Sequence, residues 1–187
     1  SILKKWDYRC GENSLAATLA IEWGQKLFSL INKSIETNDQ VEKVKYFAAN
    51  AIAGELIDPM FATIKELQIK YGTWQMPWGE INRFQRISSD IDNKFDDNKP
   101  SIPVGFAAST WGMLPSYSSL TFPGTKKRYG VHGNSFICAV EFGKKVKAKS
   151  LLAGGESGNT NSTHFFDQGL MYSKGQFKDV LFYKEDV

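Results

Sequence analysis

Ser135-Phe136-Ile137-Cys138-Ala139-Val140-Glu141-Phe142, then Gly143-Lys144-Lys145, then Val146-Lys147-Ala148-Lys149-Ser150-Leu151-Leu152 is the stretch whose reading decides the fold. Two runs of strand length flank a short turn that contains glycine, which predicts a β-hairpin. Alternation places Phe136, Cys138, Val140 and Phe142 on one face and Ile137, Ala139 and Glu141 on the other. Two largely apolar faces predict a strand covered on both sides, with Cys138 a buried, inert thiol. Glu141 stands out on its apolar face. It implies either a buried partner beside a polar site or a strand end that reaches solvent.

Beyond the hairpin, residues 153–161 form a glycine-rich loop, and Ser162 or Thr163 is placed to cap a short helix over 164–172, before a tail over 177–183. Before the hairpin, periodicity is lost over 72–130, where Pro77, Pro100, Pro103, Pro115 and Pro123 mark long loops with short strands or helical turns. A loop region of that length inside a domain usually wraps another surface. The first third is helical. Leu15, Leu19, Trp23, Leu27 and Leu30 recur at steps of three and four, which predicts a helix over 14–31 with Asn13 or Ser14 as N-cap. Val44, Phe47, Ala48, Ala51 and Ile52 carry a second helix over about 41–57. Asp58-Pro59 then opens a third that buries Phe61, Ile64, Leu67 and Ile69 and stops at Gly72. The class is α+β in one region: 1–72 helical, 73–130 loop-rich, and 131–187 hairpin, glycine loop, short helix and tail.

At 187 residues, 42% hydrophobic and 23% charged, the chain fits an ordinary globular domain, not a disordered tail or a coiled-coil rod. The net charge of +3 gives no global attraction to nucleic acid or an anionic membrane, and neither is expected as a partner. The excess is local: Lys126, Lys127, Arg128, Lys144, Lys145, Lys147 and Lys149 face only Glu141 between positions 124 and 150, which reads as solvated lysines on one hairpin face. No apolar run approaches the ~18 to 20 residues of a membrane span. The start, Ser1-Ile2-Leu3-Lys4-Lys5-Trp6, lacks the apolar core of a signal peptide. Two cysteines, Cys10 and Cys138, make neither a disulfide framework nor a metal motif.

Several patterns could carry chemistry. Ser157 or Ser162 with His164 and Asp167 lists the members of a triad, but Gly155-Glu156-Ser157-Gly158-Asn159 is not a nucleophile elbow, so Ser162 reads as a cap and His164 as an organiser of the loop. Gly154-Gly155-Glu156-Ser157-Gly158 lacks the Lys-Ser/Thr of a phosphate loop and reads as a permissive turn. Asp90-Ile91-Asp92-Asn93-Lys94-Phe95-Asp96-Asp97 has carboxylates but neither the glycine nor the closing Glu of a calcium loop. Trp74 and Trp78 could stack on sugars or bases, though anchoring of core and loops is the more frequent role of such side chains.

Taken in order along the chain, these patterns resemble one family. Gly154-Gly155-Glu156-Ser157-Gly158 followed by Ser162-Thr163-His164-Phe165-Phe166-Asp167-Gln168 resembles the closing signature of the penicillin amidases, with Glu156 for the usual Gln and Thr163 for the usual Pro. Trp78-Gly79-Glu80-Ile81-Asn82-Arg83 is similar to the family's Trp-Gly-Asp/Glu-x-x-Arg element. Trp6-Asp7 with Ser14-Leu15-Ala16-Ala17-Thr18-Leu19 is similar to the start of its late helices. His132-Gly133-Asn134-Ser135-Phe136 with Val140-Glu141-Phe142-Gly143 looks most like the branch of acyl-homoserine-lactone, aculeacin and cephalosporin acylases.

The resemblance implies an N-terminal-nucleophile hydrolase, four-layered αββα when whole, that cuts a linear amide with a serine exposed by autocatalytic cleavage. It aligns this chain with the C-terminal part of the β subunit, so Ser1 is not expected to be the nucleophile and the chain alone is expected to be inactive. The implied partners are the α subunit, the N-terminal part of the β subunit and a small N-acyl substrate, in the periplasm or outside the cell. No cofactor or metal is expected in this chain, and the parent's calcium ligands, where present, lie upstream. Glu141 is the nominee for the late Glu that supports the catalytic His in one branch. The competing expectation is a non-catalytic binding or assembly module that uses the Trp-rich loops and the basic hairpin. A piece of a larger sheet should show an exposed apolar patch or an unpaired strand edge, and a self-contained module should not.

Overall fold

The computed structural model describes residues 2–90 and 94–186. Ser1 and the middle of the Asp90–Asp97 carboxylate cluster, residues 91–93, lie outside the described residues. Helices come first, and strands and a short helix follow. By contacts the chain divides into two compact units. One is Ser14–Pro77 with the short segment ending at Arg9, and the other is Cys10–Asn13 with everything from Trp78 onward.

The helical unit contains α1 (Leu15–Ser34), α2 (Gln40–Asn50) and α3 (Ala53–Tyr71). Ser14 is the cap of α1, its Oγ accepting from the amide of Ala17 at 3.0 Å. Asp39 caps α2 by accepting from Val41 and Glu42. The boundary between α2 and α3 differs from the sequence expectation. The chain breaks at Ala51-Ile52, and α3 starts there and runs through Pro59. Glu55 explains the earlier start, because its carboxylate turns back to accept from the amide of Ile52 at 3.0 Å, closing the first turn before Asp58 is reached. Pro59 removes one amide donor, and its own carbonyl accepts from Thr63 Oγ1 at 2.9 Å. The buried face also shifts. Thr63 and Leu67 are buried while Phe61 and Ile69 point outward, because Trp23 of α1 donates to the carbonyl of Leu56 and fixes which side of α3 faces inward. The helix ends as expected at Gly72, in the left-handed conformation.

The second unit holds two sheets. Helix α4 (Trp78–Ile81) leads directly into β1 (Asn82–Phe84). The first sheet has the order β2-β1-β4-β3, with β2 (Ile102–Pro103), β3 (Tyr117–Thr121) and β4 (Arg128–Gly133). β1 and β4 are parallel, and the other neighbours are antiparallel. The second sheet is the antiparallel β5-β6-β7, with β5 (Phe136–Glu141), β6 (Lys147–Leu152) and β7 (Lys178–Val180). The predicted hairpin forms in unbroken register from Phe136 opposite Leu152 to Glu141 opposite Lys147. Val104, Tyr117, Leu151 and Tyr172 are buried together, with Phe84, Phe106 and Ile137 packed around them. Burial pushes the Tyr172 hydroxyl up to about 12.

Two expectations about this region are corrected. β5 is not covered on both sides by the described residues: only Ile137 turns toward the core, and Phe136, Ala139 and Val140 are exposed, as is the thiol of Cys138. The helix expected over 164–172 starts later, as α5 (Gly169–Lys174). A helix from His164 would need the carbonyls of His164 and Phe165 for the amides of Gln168 and Gly169. Those carbonyls are already taken, by the amide of Ser157 and by the guanidinium of Arg86.

Candidate functional site

Three constellations from the sequence lie in the second unit. The first is the Trp78–Arg83 element. Trp78 is buried and its indole N–H donates to the carbonyl of Phe106 at 3.1 Å, which makes it an anchor, not a stacking platform. Gly79 lies so close to Glu12 and Pro103 that a Cβ would come within 2.7 and 2.9 Å of their side chains, and its amide donates to the carbonyl of Glu12. Asn82, fully buried, donates to the carbonyls of Val104 and Phe106 at 2.7 and 2.9 Å. Arg83 binds the carbonyl of Gly79 and both the hydroxyl and the carbonyl of Ser101. The element ties the start of the first sheet to its neighbours through backbone carbonyls and the Ser101 hydroxyl.

The second constellation is the glycine-rich turn with His164 and Asp167. Gly155 sits against the backbone of His164, where a Cβ would come within 2.2 Å of the carbonyl oxygen. Ser157 donates its amide to that oxygen, and Gln168 donates its amide to the carbonyl of Gly154 at 2.7 Å. Arg86 closes the arrangement. Its guanidinium donates to the carbonyls of Gly155, Ser157 and Phe165 and lies over the Phe165 ring, 4.1 Å from the centroid. Arg86 carried no signal in the sequence, since the residues it joins lie about 70 to 80 positions away.

His164 Nδ1 is 2.8 Å from Asp167 Oδ2, and the imidazole is otherwise largely in solvent. The hydrogen bond from His164 holds the Asp167 carboxyl below the usual carboxylate range. Glu156 is lowered too, by the amide of Gln168 and then by Lys178. Among the described residues no serine hydroxyl hydrogen-bonds to the imidazole. Ser162 Oγ accepts from the amide of His164, and Ser157 Oγ accepts from the amide of Asn159. The arrangement therefore orders a turn and presents no activated nucleophile of its own.

The third constellation is the hairpin end. Glu141 is exposed at the last position of β5, opposite Lys147, so it takes the solvent-reaching alternative. It borders a groove of about 580 Å³, with Val140, Lys147, Lys149, Asp179 and Leu181 among its lining residues. The lysines of the hairpin lie in solvent as expected. Lys149 pairs with Asp179 at 3.3 Å, and Lys145 pairs with Glu185 and lies over the Tyr183 ring. Of the carboxylate cluster, Asp97 is structural: it accepts from the amides of Lys126 and Lys127 and from the hydroxyl of Tyr129. Partial burial alone would push Asp97 up, and those three donors outweigh it, leaving the carboxyl below its ordinary value. Among the described residues no group of three or more His, Cys, Asp or Glu could hold a metal ion. No helix there is long and apolar enough to cross a membrane.

These features define an α+β protein whose signature residues are scaffold, holding backbone against backbone around two sheets. The family model for penicillin amidase matches residues 1–187, and the chain belongs to that family, one of acylase-type amide hydrolases.

Proposed function

We propose that this chain is the C-terminal part of the β subunit of an acylase that hydrolyses the amide bond of an N-acyl compound such as a penicillin or an acyl-homoserine lactone. The observation that carries the reading is the family match over all 187 residues. It is supported by the order of the motifs and by the placement of the one histidine–carboxylate pair the described residues form, His164 with Asp167, within the scaffold. The nucleophile is then a serine outside residues 1–187, freed by autocatalytic cleavage and assisted by its own α-amino group. The oxyanion formed on attack is held by donors elsewhere in the enzyme. Any calcium belongs to those other parts, and the enzyme works in the periplasm or outside the cell.

Within this reading the branch is that of the acyl-homoserine-lactone, aculeacin and cephalosporin acylases, on the strength of His132-Gly133-Asn134-Ser135-Phe136 and Val140-Glu141-Phe142-Gly143. Glu141, whose carboxylate has no hydrogen-bond partner among the described residues, is the group we nominate to support the catalytic histidine. The test uses the full-length gene product. Intact mass should show two chains, the larger beginning with a serine upstream of this segment, and acid should be released from phenylacetyl, glutaryl or long-chain acyl amides. Glu141→Gln in that enzyme should change the pH profile of kcat and leave KM nearly constant. The 187-residue chain alone should release no acid. Enzyme-like release from it that disappears on Ser1→Ala would overturn the proposal.

A further inference from the structure

The two lysines of β6, Lys147 and Lys149, share one face of the second sheet, and each stands opposite an acid on a neighbouring strand. Lys147 is opposite Glu141 of β5, and Lys149 is opposite Asp179 of β7. Directly opposed residues of an antiparallel pair have Cβ atoms about 4.5 to 5.5 Å apart, within reach for long side chains of opposite charge. The two pairs do not end alike. Lys149 closes on Asp179 at 3.3 Å. Lys147 and Glu141 make no ion pair among the described residues, although they stand in the same cross-strand relation and line the same groove.

The other charged groups around the groove are engaged elsewhere. Asp179 holds Lys149, and Asp186 accepts from the amide of Tyr183 at 3.1 Å. In the turn and the tail, Lys145 pairs with Glu185, and Lys144 does not line the groove. Glu141 and Lys147 are the two whose charges are uncommitted. A carboxylate that supports a catalytic histidine must stay charged to accept from the imidazole, and it must be held in one orientation. A long side chain exposed at a strand end meets the second demand poorly. A lysine opposite it serves both: the ammonium favours the charged carboxylate, and as a donor it occupies one carboxylate oxygen while the other stays open.

We infer that Lys147 is a positioning residue for the amide hydrolysis: its ammonium, reaching across from β6, takes one oxygen of Glu141 and leaves the other for the histidine. The inference rests on the nomination of Glu141 in the acylase reading above. The closed pair of Lys149 with Asp179, on the neighbouring row of the same face, shows that a β6 lysine has the reach for this contact.

The test uses the full-length gene product and measures kcat and KM against pH for Lys147→Met, Lys147→Arg, Glu141→Gln and the double variant Lys147→Met with Glu141→Gln. The carboxylate loses its charge on the acid side, so removing the cation should move the acid limb of kcat up by about half a pH unit, the scale of an exposed pair. Lys147→Arg should restore the limb, and KM should stay nearly constant throughout. In the double variant the loss of Lys147 should add no shift to that of Glu141→Gln. Lys144→Met, which removes a hairpin charge outside the groove, should leave the profile in place. A shift that persists without Glu141, or that Lys144→Met reproduces, would overturn the inference, because the effect is then one of general charge. So would an unmoved limb in Lys147→Met beside a changed profile in Glu141→Gln, a result that leaves the acylase reading standing. A Glu141→Gln profile identical to that of the parent overturns the nomination of Glu141 and the inference together. A gene product that releases no acid overturns the acylase reading along with both.

Discussion

The glycine-rich turn and the β-hairpin lie in the same unit and are satisfied in opposite ways. Around residues 154–168 the backbone groups are matched by partners from distant parts of the chain. Arg86 supplies donors to three carbonyls, Gly155 fits against His164 because it has no Cβ, and Ser157 and Gln168 cross-tie the two arms. Among the described residues the hairpin is matched on one edge only, and one apolar row stands in solvent. The difference separates a region whose shape is held by residues far away in the chain from one whose shape is set by local pairing and whose outer face is exposed.

The comparison breaks most readily at Arg86. Arg86→Ala leaves the carbonyls of Gly155, Ser157 and Phe165 without their cationic donor. At about 1.5 to 3 kcal/mol for a hydrogen bond to a charged group, and with water replacing part of the loss, the unit should lose about 3 kcal/mol. Arg86→Lys should recover little of it, because an ammonium cannot reproduce the planar fork or the stacking on Phe165. Urea unfolding and amide exchange at Ser157 and Gln168 measure both variants. A loss under about 1 kcal/mol would mean that the turn holds itself.

That same residue shows why half of this comparison was legible in the sequence and half was not. The hairpin was read correctly in extent and turn because period-two alternation and a Gly-Lys-Lys turn are local properties. So were the cap at Ser14 and the stop at Gly72. The helix expected over 164–172 was misread because local capping chemistry at Ser162 competes with Arg86, whose approach is fixed by the sheet and not by its neighbours in sequence. The helix boundary at Ala51-Ile52 was missed for a smaller reason: the Glu55 carboxylate turns back to the amide of Ile52 and starts the helix before the more conspicuous Asp58-Pro59. The exposure of Cys138 was misjudged because alternation reports which residues share a face and says nothing about what lies on it. Of the candidate site, the family's motifs were visible, and their roles as scaffold came only from their contacts.

Gly155→Ala sharpens the turn side of the comparison. A methyl group within 2.2 Å of the carbonyl oxygen of His164 forces the two arms apart, at a cost of about 2 kcal/mol by the usual scale of overpacking. Gly158→Ala is the control, since nothing lies within 4 Å of its added carbon, and it should be close to neutral. Equal effects for the two would show that the close packing of the arms is not what defines the turn.

The pair His164–Asp167 contributes less and does so in a pH-dependent way. Because Asp167 is lowered in the folded state by its hydrogen bond with His164, the stabilisation is present above the unfolded carboxylate value. It is lost as pH falls from about 4 through the lower folded value. Amide exchange of Ser157, whose acceptor is the carbonyl of His164, should accelerate across that window, corrected for the intrinsic rate. Asp167→Asn should flatten the acid dependence. A variant that keeps the full dependence would assign it to Glu156 in the same loop, which is lowered by Gln168 and by Lys178 of β7.

The smallest effect is expected on the hairpin side, and it tests whether β5 is packed on one face only. Val140 is 43% exposed on a strand with no neighbour on one side among the described residues, so Val140→Lys should change stability by no more than about 0.5 kcal/mol, as surface substitutions do. Ile137→Lys is the internal reference, since that side chain packs against the buried cluster of Val104, Tyr117, Leu151 and Tyr172 and should cost several times more. Similar losses for the two would mean that both faces of β5 are covered within these residues. A near-neutral lysine at 140 beside a costly one at 137 fits a strand with one side packed in the core and the other in solvent.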